Sequence, residues 1–276
     1  MILGKHDFQQ LSSFIYQNLG IKMPAEKSTM LTGRLTKRLR ALNLSSFAEY
    51  CDFLFSPEGQ EQEMVHLINV ITTNKTDFFR EPSHFAYLTQ TAIPTLQRHH
   101  PFTGRESLKI WSAGCSTGEE PYTLAMVLAE IQENQPGFKF DILATDISTR
   151  VLEIAGRAVY PMGLIEPVPP QLRKKYLLRG VNTQNPQIRI GPELRRRVRF
   201  GRLNFMDEDF GLPEKVAIIF CRNVIIYFDK VTQEKLMVKF CRFLQDGGYL
   251  FLGHSESLHG YKTPLTQVAP TIYRKL

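Results

Sequence analysis

Apolar residues in the first quarter of the chain recur about every three to four positions, which is the spacing of amphipathic helices. The first such run, from Phe8 to Leu19, ends before Gly20, and glycine is favoured at helix C-caps. Helices are predicted at about residues 8–19, 25–42, 46–55 and 59–71. Residues 1–72 are therefore predicted to form an N-terminal helical domain, a small bundle.

The pattern changes in the second part of the chain, where short apolar runs typical of buried strands alternate with helical stretches. Strands are predicted from Leu108, at 138–145, at 216–220, at 249–253 and at about 269–275, and helices at about 123–129, 148–158 and 231–244. This alternation is typical of an α/β fold with a doubly wound, Rossmann-like sheet, predicted over residues 91–276.

Two further segments interrupt this pattern. Residues 187–190 and 197–200 alternate apolar and basic residues around Gly191-Pro192. They predict an antiparallel hairpin, within a small β-subdomain inserted at about 180–202. Residues 72–82 are polar and aromatic and end at a proline, so residues 73–90 are predicted to be a linker between the two domains.

Composition limits the class of protein. The 276 residues carry a net charge of +7, which suggests an acidic partner: nucleic acid, a membrane surface or an acidic protein. No apolar run approaches the ~20 residues of a membrane span, and the N-terminus lacks a signal-peptide core. The four cysteines form no C-x-x-C pair, and the histidines show no metal-ligand spacing. A cytoplasmic protein without a metal is expected.

The glycine turn Gly114-Cys115-Ser116-Thr117-Gly118 lies between the predicted strand at Leu108 and a helical run, which is how doubly wound folds build a nucleotide site. Glu119 and Glu120 follow the turn directly. Two carboxylates disfavour a pyrophosphate. They suit a cationic ligand with hydroxyl and amino groups, such as S-adenosylmethionine.

Polar residues also follow two other predicted strands. Asp146 ends the strand after the turn, where a carboxylate can accept both hydroxyls of a ribose, although it can also cap the next helix. Arg222, Asn223 and Tyr227 follow the strand at 216–220. Because strand ends line the ligand crevice of such sheets, these three side chains are predicted to face a ligand.

Several motifs, in this order along the chain, resemble those of the bacterial chemotaxis methyltransferase family CheR. They are T-T-N-K-T-D-F-F-R-E at 72–81, S-A-G-C-S-T-G-E-E-P-Y at 112–122, A-T-D-I-S at 144–148, F-C-R-N-V-I-I-Y-F at 220–228 and L-G-H-S-E-S at 252–257. The run L-x-x-R-L-x-x-R-L-R-A-L at 31–42 also matches the family's N-terminal helix. No single motif is decisive, but together they are highly specific.

The resemblance implies a protein-glutamate O-methyltransferase that uses S-adenosylmethionine, releases S-adenosylhomocysteine and acts on the cytoplasmic helical region of methyl-accepting chemotaxis receptors. It implies that the linker contributes to the cofactor site. The implied cofactor contacts are Asn74, Thr76, Arg80, Glu120, Asp146, Asn204, Phe205, Arg222 and Asn223. It also implies that a receptor tail can dock on the β-subdomain.

Three assignments are hypotheses from chemistry. Arg80 and Tyr227 are predicted to position the receptor carboxylate, because one offers a charged fork and the other a phenolic donor. The predicted helix 25–42 carries five cations without an interleaved acid, of which Arg34, Arg38 and Arg40 are predicted to contact the receptor. The enzyme is expected to be a monomer.

Two alternatives remain open at this point. The basic helix and Arg195-Arg196-Arg197 would also suit a nucleic-acid-binding or nucleic-acid-modifying protein with a methyltransferase fold. A non-catalytic sensor of S-adenosylmethionine would carry the same cofactor residues. The chemistry of the methylated product distinguishes a receptor enzyme from a nucleic-acid enzyme: an alkali-labile methyl ester on protein against a base-stable modified nucleoside.

Overall fold

The N-terminal part of the computed structural model, which describes residues 2–100, 102–104, 106–182 and 184–276, is helical. Its helices are α1 (Lys5–Leu19), α2 (Ser28–Ala41), α3 (Phe47–Phe55) and α4 (Pro57–Ile71), with a 3₁₀ turn at Ala25–Lys27. Gly20 ends α1 with a φ of 68°, and its N–H donates to the Tyr16 carbonyl. The apolar stripes meet in one core, which includes Leu11, Ile15, Leu35, Leu39 and Leu67. The predicted bundle is confirmed.

The connection after α4 is extended and then becomes helical. Residues 73–77 have no regular structure. Helices α5 (Pro82–Tyr87) and α6 (Ile93–Gln97), joined by a π-helical turn at Leu88–Ala92, include the second half of the predicted linker. Their buried side chains, such as Phe85 and Leu88, pack into the core of the sheet. Among the described residues, no helix is both long and apolar enough to span a bilayer.

The rest of the chain builds a seven-stranded sheet with helices on it. Its strands are β1 (Leu108–Ala113), β2 (Phe140–Asp146), β6 (Val198–Arg202), β7 (Val216–Cys221), β8 (Leu244–Leu252), β9 (Leu265–Ala269) and β10 (Ile272–Lys275). The spatial order is β6-β2-β1-β7-β8-β10-β9, and β10 and β9 run antiparallel at one edge. Helix α7 (Glu119–Asn134) connects β1 to β2, and α11 (Lys230–Phe243) connects β7 to β8. The predicted doubly wound fold is confirmed.

A separate three-stranded antiparallel sheet lies between α8 (Thr149–Arg157) and β6. It consists of β3 (Val159–Pro161), β4 (Leu177–Arg179) and β5 (Gln187–Ile190), in the order β3-β5-β4. Helix α9 (Pro170–Tyr176) precedes β4, and the short helix α10 (Pro192–Arg195) follows β5.

The predicted hairpin of residues 187–190 and 197–200 is wrong. Strand β5 pairs with β3 and β4, whereas β6 pairs in parallel with β2 in the main sheet. Gly191-Pro192 does not form a hairpin turn, because Pro192 starts α10, where its missing N–H costs nothing. Strand β6 is an edge strand with Arg199 exposed, so its alternation resembles that of a hairpin strand.

The strand order creates a ligand crevice. From β1 the chain passes to β2 on one side, while β7 lies on the other side of β1. Ligands of open α/β sheets bind outside the carboxyl ends of the strands at such a switch point. The turn after β1, the end of β2 and the segment after β7 therefore meet at one edge of the sheet.

Candidate active site between the helical bundle and the sheet

A cavity of about 260 Å³ opens at this edge of the sheet, under the helical bundle. Three parts of the chain line it: α1, α2 and the connection between them, the segment after α4, and the carboxyl ends of β1, β2, β6 and β7 with the residues that follow them. Among its lining residues are nine of the predicted ones: Asn74, Thr76, Arg80, Glu120, Asp146, Phe205, Arg222, Asn223 and Tyr227.

The turn after β1 takes its shape from two glycines. Gly114 (φ 85°) and Gly118 (φ 98°) both have the left-handed backbone that disfavours side chains. A Cβ on Gly114 would lie 2.6 Å from the Val224 side chain, and one on Gly118 would lie 2.9 Å from the Ala155 Cβ. These glycines let the turn pass close to the segment after β7 and to α8.

Asp146 lies at the end of β2, and its carboxylate is held by the backbone. Its two oxygens accept the N–H groups of Ser116 (2.9 Å) and Ser148 (3.0 Å). Desolvation raises the pKa of Asp146, although these bonds oppose the rise. Ser148, not Asp146, caps α8 through its hydroxyl. Because each carboxylate oxygen has two lone pairs, both oxygens can still accept a ligand hydroxyl.

Glu120 and Arg222 form a buried ion pair at the centre of the crevice. The Arg222 Nε donates to the Glu120 carboxylate at 2.7 Å, and Ser112 donates to the other oxygen. Glu119 instead accepts from the Thr117 hydroxyl and does not line the cavity. The two carboxylates of the sequence motif thus do not act together on a ligand, since one is turned away and the other is neutralised.

The proposed substrate-positioning residues lie at the mouth of the cavity. Arg80 donates to the Lys75 carbonyl at 3.1 Å, and Tyr227 is half-buried. The Tyr227 carbonyl accepts the Lys22 N–H, while Ile21 forms a β-bridge with Phe228. The segment after β7 is therefore tied to the connection between α1 and α2.

Four predicted site residues do not line the cavity. The Asn204 amide donates to the Asn18 carbonyl and its oxygen accepts the Met206 N–H, so it joins the sheet domain to α1. Arg34 bonds the backbone carbonyls of Ile71 and Thr72. Arg40 is exposed.

Arg38 has an acidic partner. Its guanidinium makes two hydrogen bonds, of 2.8 and 2.7 Å, to Glu63 of α4, whose side chain is 1% exposed. The lack of an interleaved acid in this helix therefore does not leave Arg38 unpaired, because its partner comes from another helix. The pairing also raises the pKa of Arg38.

The contribution of the helical bundle to the cavity was not predicted from the sequence. Leu19, Ile21, Met23, Met30 and Ile71 form an apolar wall. Lys27 adds a cation to it. Ile21 and Met23 lie outside any helix. Apolar residues in such a short connection indicate that the segment packs over a ligand or another part of the protein.

A group of potential metal ligands lies behind Arg222. Potential ligand atoms of Glu81, His84 and His254 lie within 4.8 Å of one another. The Arg222 Nη1, however, lies 3.3 Å from His84 Nδ1 and 3.4 Å from Glu81 Oε2. Because a guanidinium already faces two of the three ligands, we interpret the group as a hydrogen-bond network around Arg222.

A Rossmann-like sheet with a carboxylate at the end of β2 and a glycine turn before α7 is typical of a site for a ligand that carries a ribose. Together with a match to the SAM-binding domain of a methyltransferase family, these features place the protein among the S-adenosylmethionine-dependent methyltransferases. Residues 74–274 match the family described as CheR methyltransferase, SAM binding domain, and residues 6–72 match its all-alpha domain. The chain belongs to the CheR methyltransferase family.

Relatives of nearly the same length support the assignment. The chain is 40% identical to a chemotaxis protein methyltransferase of Borreliella burgdorferi, covering 99% of this chain and 95% of the relative. It is 40% identical to chemotaxis protein methyltransferase 2 of Pseudomonas aeruginosa (98% and 92% covered). It is 36% identical to the chemotaxis protein methyltransferase of Escherichia coli (99% and 92% covered).

Proposed function

We propose that the protein methylates glutamate side chains of chemotaxis receptors in the cytoplasm and forms glutamyl methyl esters. The observation that carries the proposal is that the turn after β1, Asp146, Arg80 and Tyr227 line one cavity. Membership of the CheR family and the names of the relatives support the substrate class.

The cofactor site is proposed to combine polar and apolar walls. Asp146 keeps free lone pairs for the ribose hydroxyls, and Phe205 offers an apolar wall for the adenine. Asn74, Thr76 and Asn223 add polar groups, while Glu120 acts mainly by holding Arg222. S-adenosylmethionine supplies the methyl group on its sulfonium.

The proposed nucleophile needs no general base. A glutamate carboxylate has a reference pKa of about 4.3 and is ionised at neutral pH. Arg80 and Tyr227 would align this carboxylate for in-line attack, and alignment contributes up to roughly 7–11 kcal/mol in well-oriented systems. The apolar wall of the bundle would exclude water from the reaction.

Receptor recognition is proposed to use charge and a free strand edge. Arg34 and Arg40 lie on α2, and Arg40 is exposed, so it would contact an acidic receptor helix. Strand β4 is one of the two outer strands of the small sheet and exposes Leu178, so a receptor tail could add a strand there. The protein is proposed to act as a monomer.

The test is methyl transfer from labelled cofactor to receptor-containing membranes, followed by release with alkali. Arg80→Ala and Tyr227→Phe should each lower kcat at least about tenfold, with receptor binding largely retained. Arg157→Ala and Tyr87→Phe are matched controls away from the cavity. Because no general base is proposed, raising the pH should not rescue either variant.

Two results would contradict the proposal. An alkali-stable product, such as a methylated nucleoside, would identify a nucleic-acid substrate. Cofactor binding without any transfer to receptors would identify a sensor.

A further inference from the structure

The motif L-G-H-S-E-S at 252–257 has no role in the proposed site, yet its glutamate lies directly behind it. Glu256 is 4% exposed. Its Oε1 accepts the N–H groups of Val224 (2.8 Å), Ile225 (2.9 Å) and Ile226 (3.4 Å). Its Oε2 accepts those of Asn223 (2.9 Å) and Gly253 (2.6 Å). One carboxylate thus accepts hydrogen bonds from four consecutive backbone N–H groups of the segment after β7, those of residues 223–226.

The charge of Glu256 is balanced by the backbone. Among the ion pairs of the described residues, none includes Glu256. Successive backbone N–H groups form a concave anion site of their own, and here a side chain of the same protein fills it. Burial raises the pKa of Glu256, and the backbone bonds oppose that rise. Charge-assisted bonds of this kind are about twice as strong as neutral ones.

The backbone that Glu256 holds is strained. Asn223 has a φ of 59°, an uncommon conformation for a residue with a side chain, and it lines the cavity. Gly253 packs against it: a Cβ there would lie 2.4 Å from the Asn223 Nδ2. Glu81 fixes the same side chain, since its Oε1 accepts from Asn223 Nδ2 (3.3 Å) and from the His254 N–H (3.1 Å).

We propose that Glu256 is a positioning residue, which holds Asn223 and Tyr227 in the geometry that the cofactor and the substrate carboxylate require. It acts through the backbone of residues 223–226, and Tyr227 follows directly after them. The turn at residues 253–256 thus supports the segment of residues 223–227, which lines the cavity. The inference rests on the proposed function for the role of Tyr227, but the effect on cofactor binding does not depend on the substrate.

The first test is Glu256→Gln in the full-length enzyme. Both oxygens accept at least two N–H groups, so either amide orientation turns an NH₂ group against N–H donors. Affinity for S-adenosylhomocysteine by calorimetry and kcat for receptor methylation should each fall at least about tenfold, whereas receptor KM should stay within about twofold. Asp141→Asn, which removes a carboxylate at the opposite end of β2, is the control. It should change neither the affinity for S-adenosylhomocysteine nor kcat.

The second test does not remove the carboxylate. Gly253→Ala adds one methyl group against Asn223, and Gly156→Ala, whose Cβ would meet nothing within 4 Å, is its control. Gly253→Ala should weaken S-adenosylhomocysteine severalfold and Gly156→Ala should not. This pair also serves if Glu256→Gln does not fold.

The outcomes separate the two proposals. If Glu256→Gln and Gly253→Ala unfold at lower temperature but, while folded, bind S-adenosylhomocysteine and turn over normally, Glu256 is only a structural residue and the inference is wrong. If the wild-type enzyme binds S-adenosylhomocysteine but transfers no methyl group to receptors, the proposed function fails. Calorimetry of the wild type and of Glu256→Gln with S-adenosylhomocysteine still tests the positioning role of Glu256.

Discussion

Asp146 combines two tasks in one carboxylate: it fixes the turn after β1 through Ser116, and it faces the cavity. Asp146→Ala should weaken S-adenosylmethionine and S-adenosylhomocysteine by the same factor, since both carry the ribose. The loss of charge-assisted bonds should cost on the order of 2–3 kcal/mol, which calorimetry measures directly. Asp141→Ala is the control on the same strand. Unchanged affinity in a folded variant would remove Asp146 from the site.

His84 should make the stability of the protein depend on pH. Burial, and then the charge of Arg222, lower the pKa of His84 to about 4, against the opposing effect of Glu81. An unfolded histidine has a pKa near 6.5, so between these values the unfolded state binds the additional proton. Stability should therefore fall as the pH drops from about 6.5 to about 4, by at most about 3 kcal/mol.

Urea unfolding at pH 7 and pH 5 measures this effect. His84→Gln should be less stable than the wild type at pH 7 but should lose less stability on acidification, because glutamine does not titrate. The other groups around His84, namely Glu81, His254 and Arg222, remain in both proteins. Equal losses in the two proteins would mean that His84 is not the titrating group.

Cavity residues at strand ends could be predicted from the geometry of the sheet, whereas the contacts of side chains on α2 could not. Asp146 and Arg222 follow buried strands, and the geometry of a parallel sheet alone brings such residues together. Asn204 also follows a strand, but its side chain points to α1, because Asn18 offers an acceptor there. Local patterns do not contain that information, since the contact joins residues far apart in the chain.

Among the elements, α2 differs most from its predicted role. Its face toward α4 carries Arg38, which pairs with the buried Glu63, and Tyr50 donates to the same carboxylate at 3.1 Å. Strand β6 was mispredicted for a related reason: the exposed edge of a parallel sheet alternates like a hairpin strand. In both cases, the order of polar and apolar residues within the element does not show which part of the protein the element contacts.

Arg38 and Arg40 should therefore behave differently when replaced by alanine. Arg38→Ala leaves the Glu63 carboxylate buried without its cation and should lower the free energy of unfolding by about 3 kcal/mol. Arg40→Ala should leave stability unchanged, but should raise the receptor KM and flatten its salt dependence, because exposed charges are screened over ~8 Å at physiological ionic strength.

Chemical denaturation and receptor methylation at low and high salt check both changes. Arg38→Ala combined with Glu63→Gln should cost less than the sum of the two single changes, because the two residues share one interaction. A destabilising Arg40→Ala, or an Arg38→Ala that affects only the receptor KM, would reverse these assignments.

At the scale of the whole molecule, the cavity proposed to bind the cofactor is lined by both domains. Asn204 bonds α1, Ile21 pairs with Phe228, and Tyr16 donates to Asp229 at 2.6 Å on one side of the cavity. On the other side, Asn69 of α4 accepts the Ser148 hydroxyl at 2.7 Å. These hydrogen bonds thus connect the bundle to the sheet domain on both sides of the crevice. The sequence predicted both domains, but it did not predict this arrangement, which depends on contacts between distant segments.

Because both domains line the cavity, the cofactor should stabilise both. A ligand that binds only the folded state at about 100 times its Kd adds about 2.7 kcal/mol, and this stabilisation acts on every segment whose opening destroys the site. Hydrogen exchange with saturating S-adenosylhomocysteine should therefore slow in residues 19–30 and 71–80, as well as in the turn at 114–118. Strand β5, which lies outside the cavity lining, should exchange at an unchanged rate.

Asp146→Ala at the same ligand concentration should lose the protection in all three segments together. Protection confined to the turn and to residues 222–228 would mean that the bundle is not part of the cofactor site, and that its apolar wall serves the receptor instead.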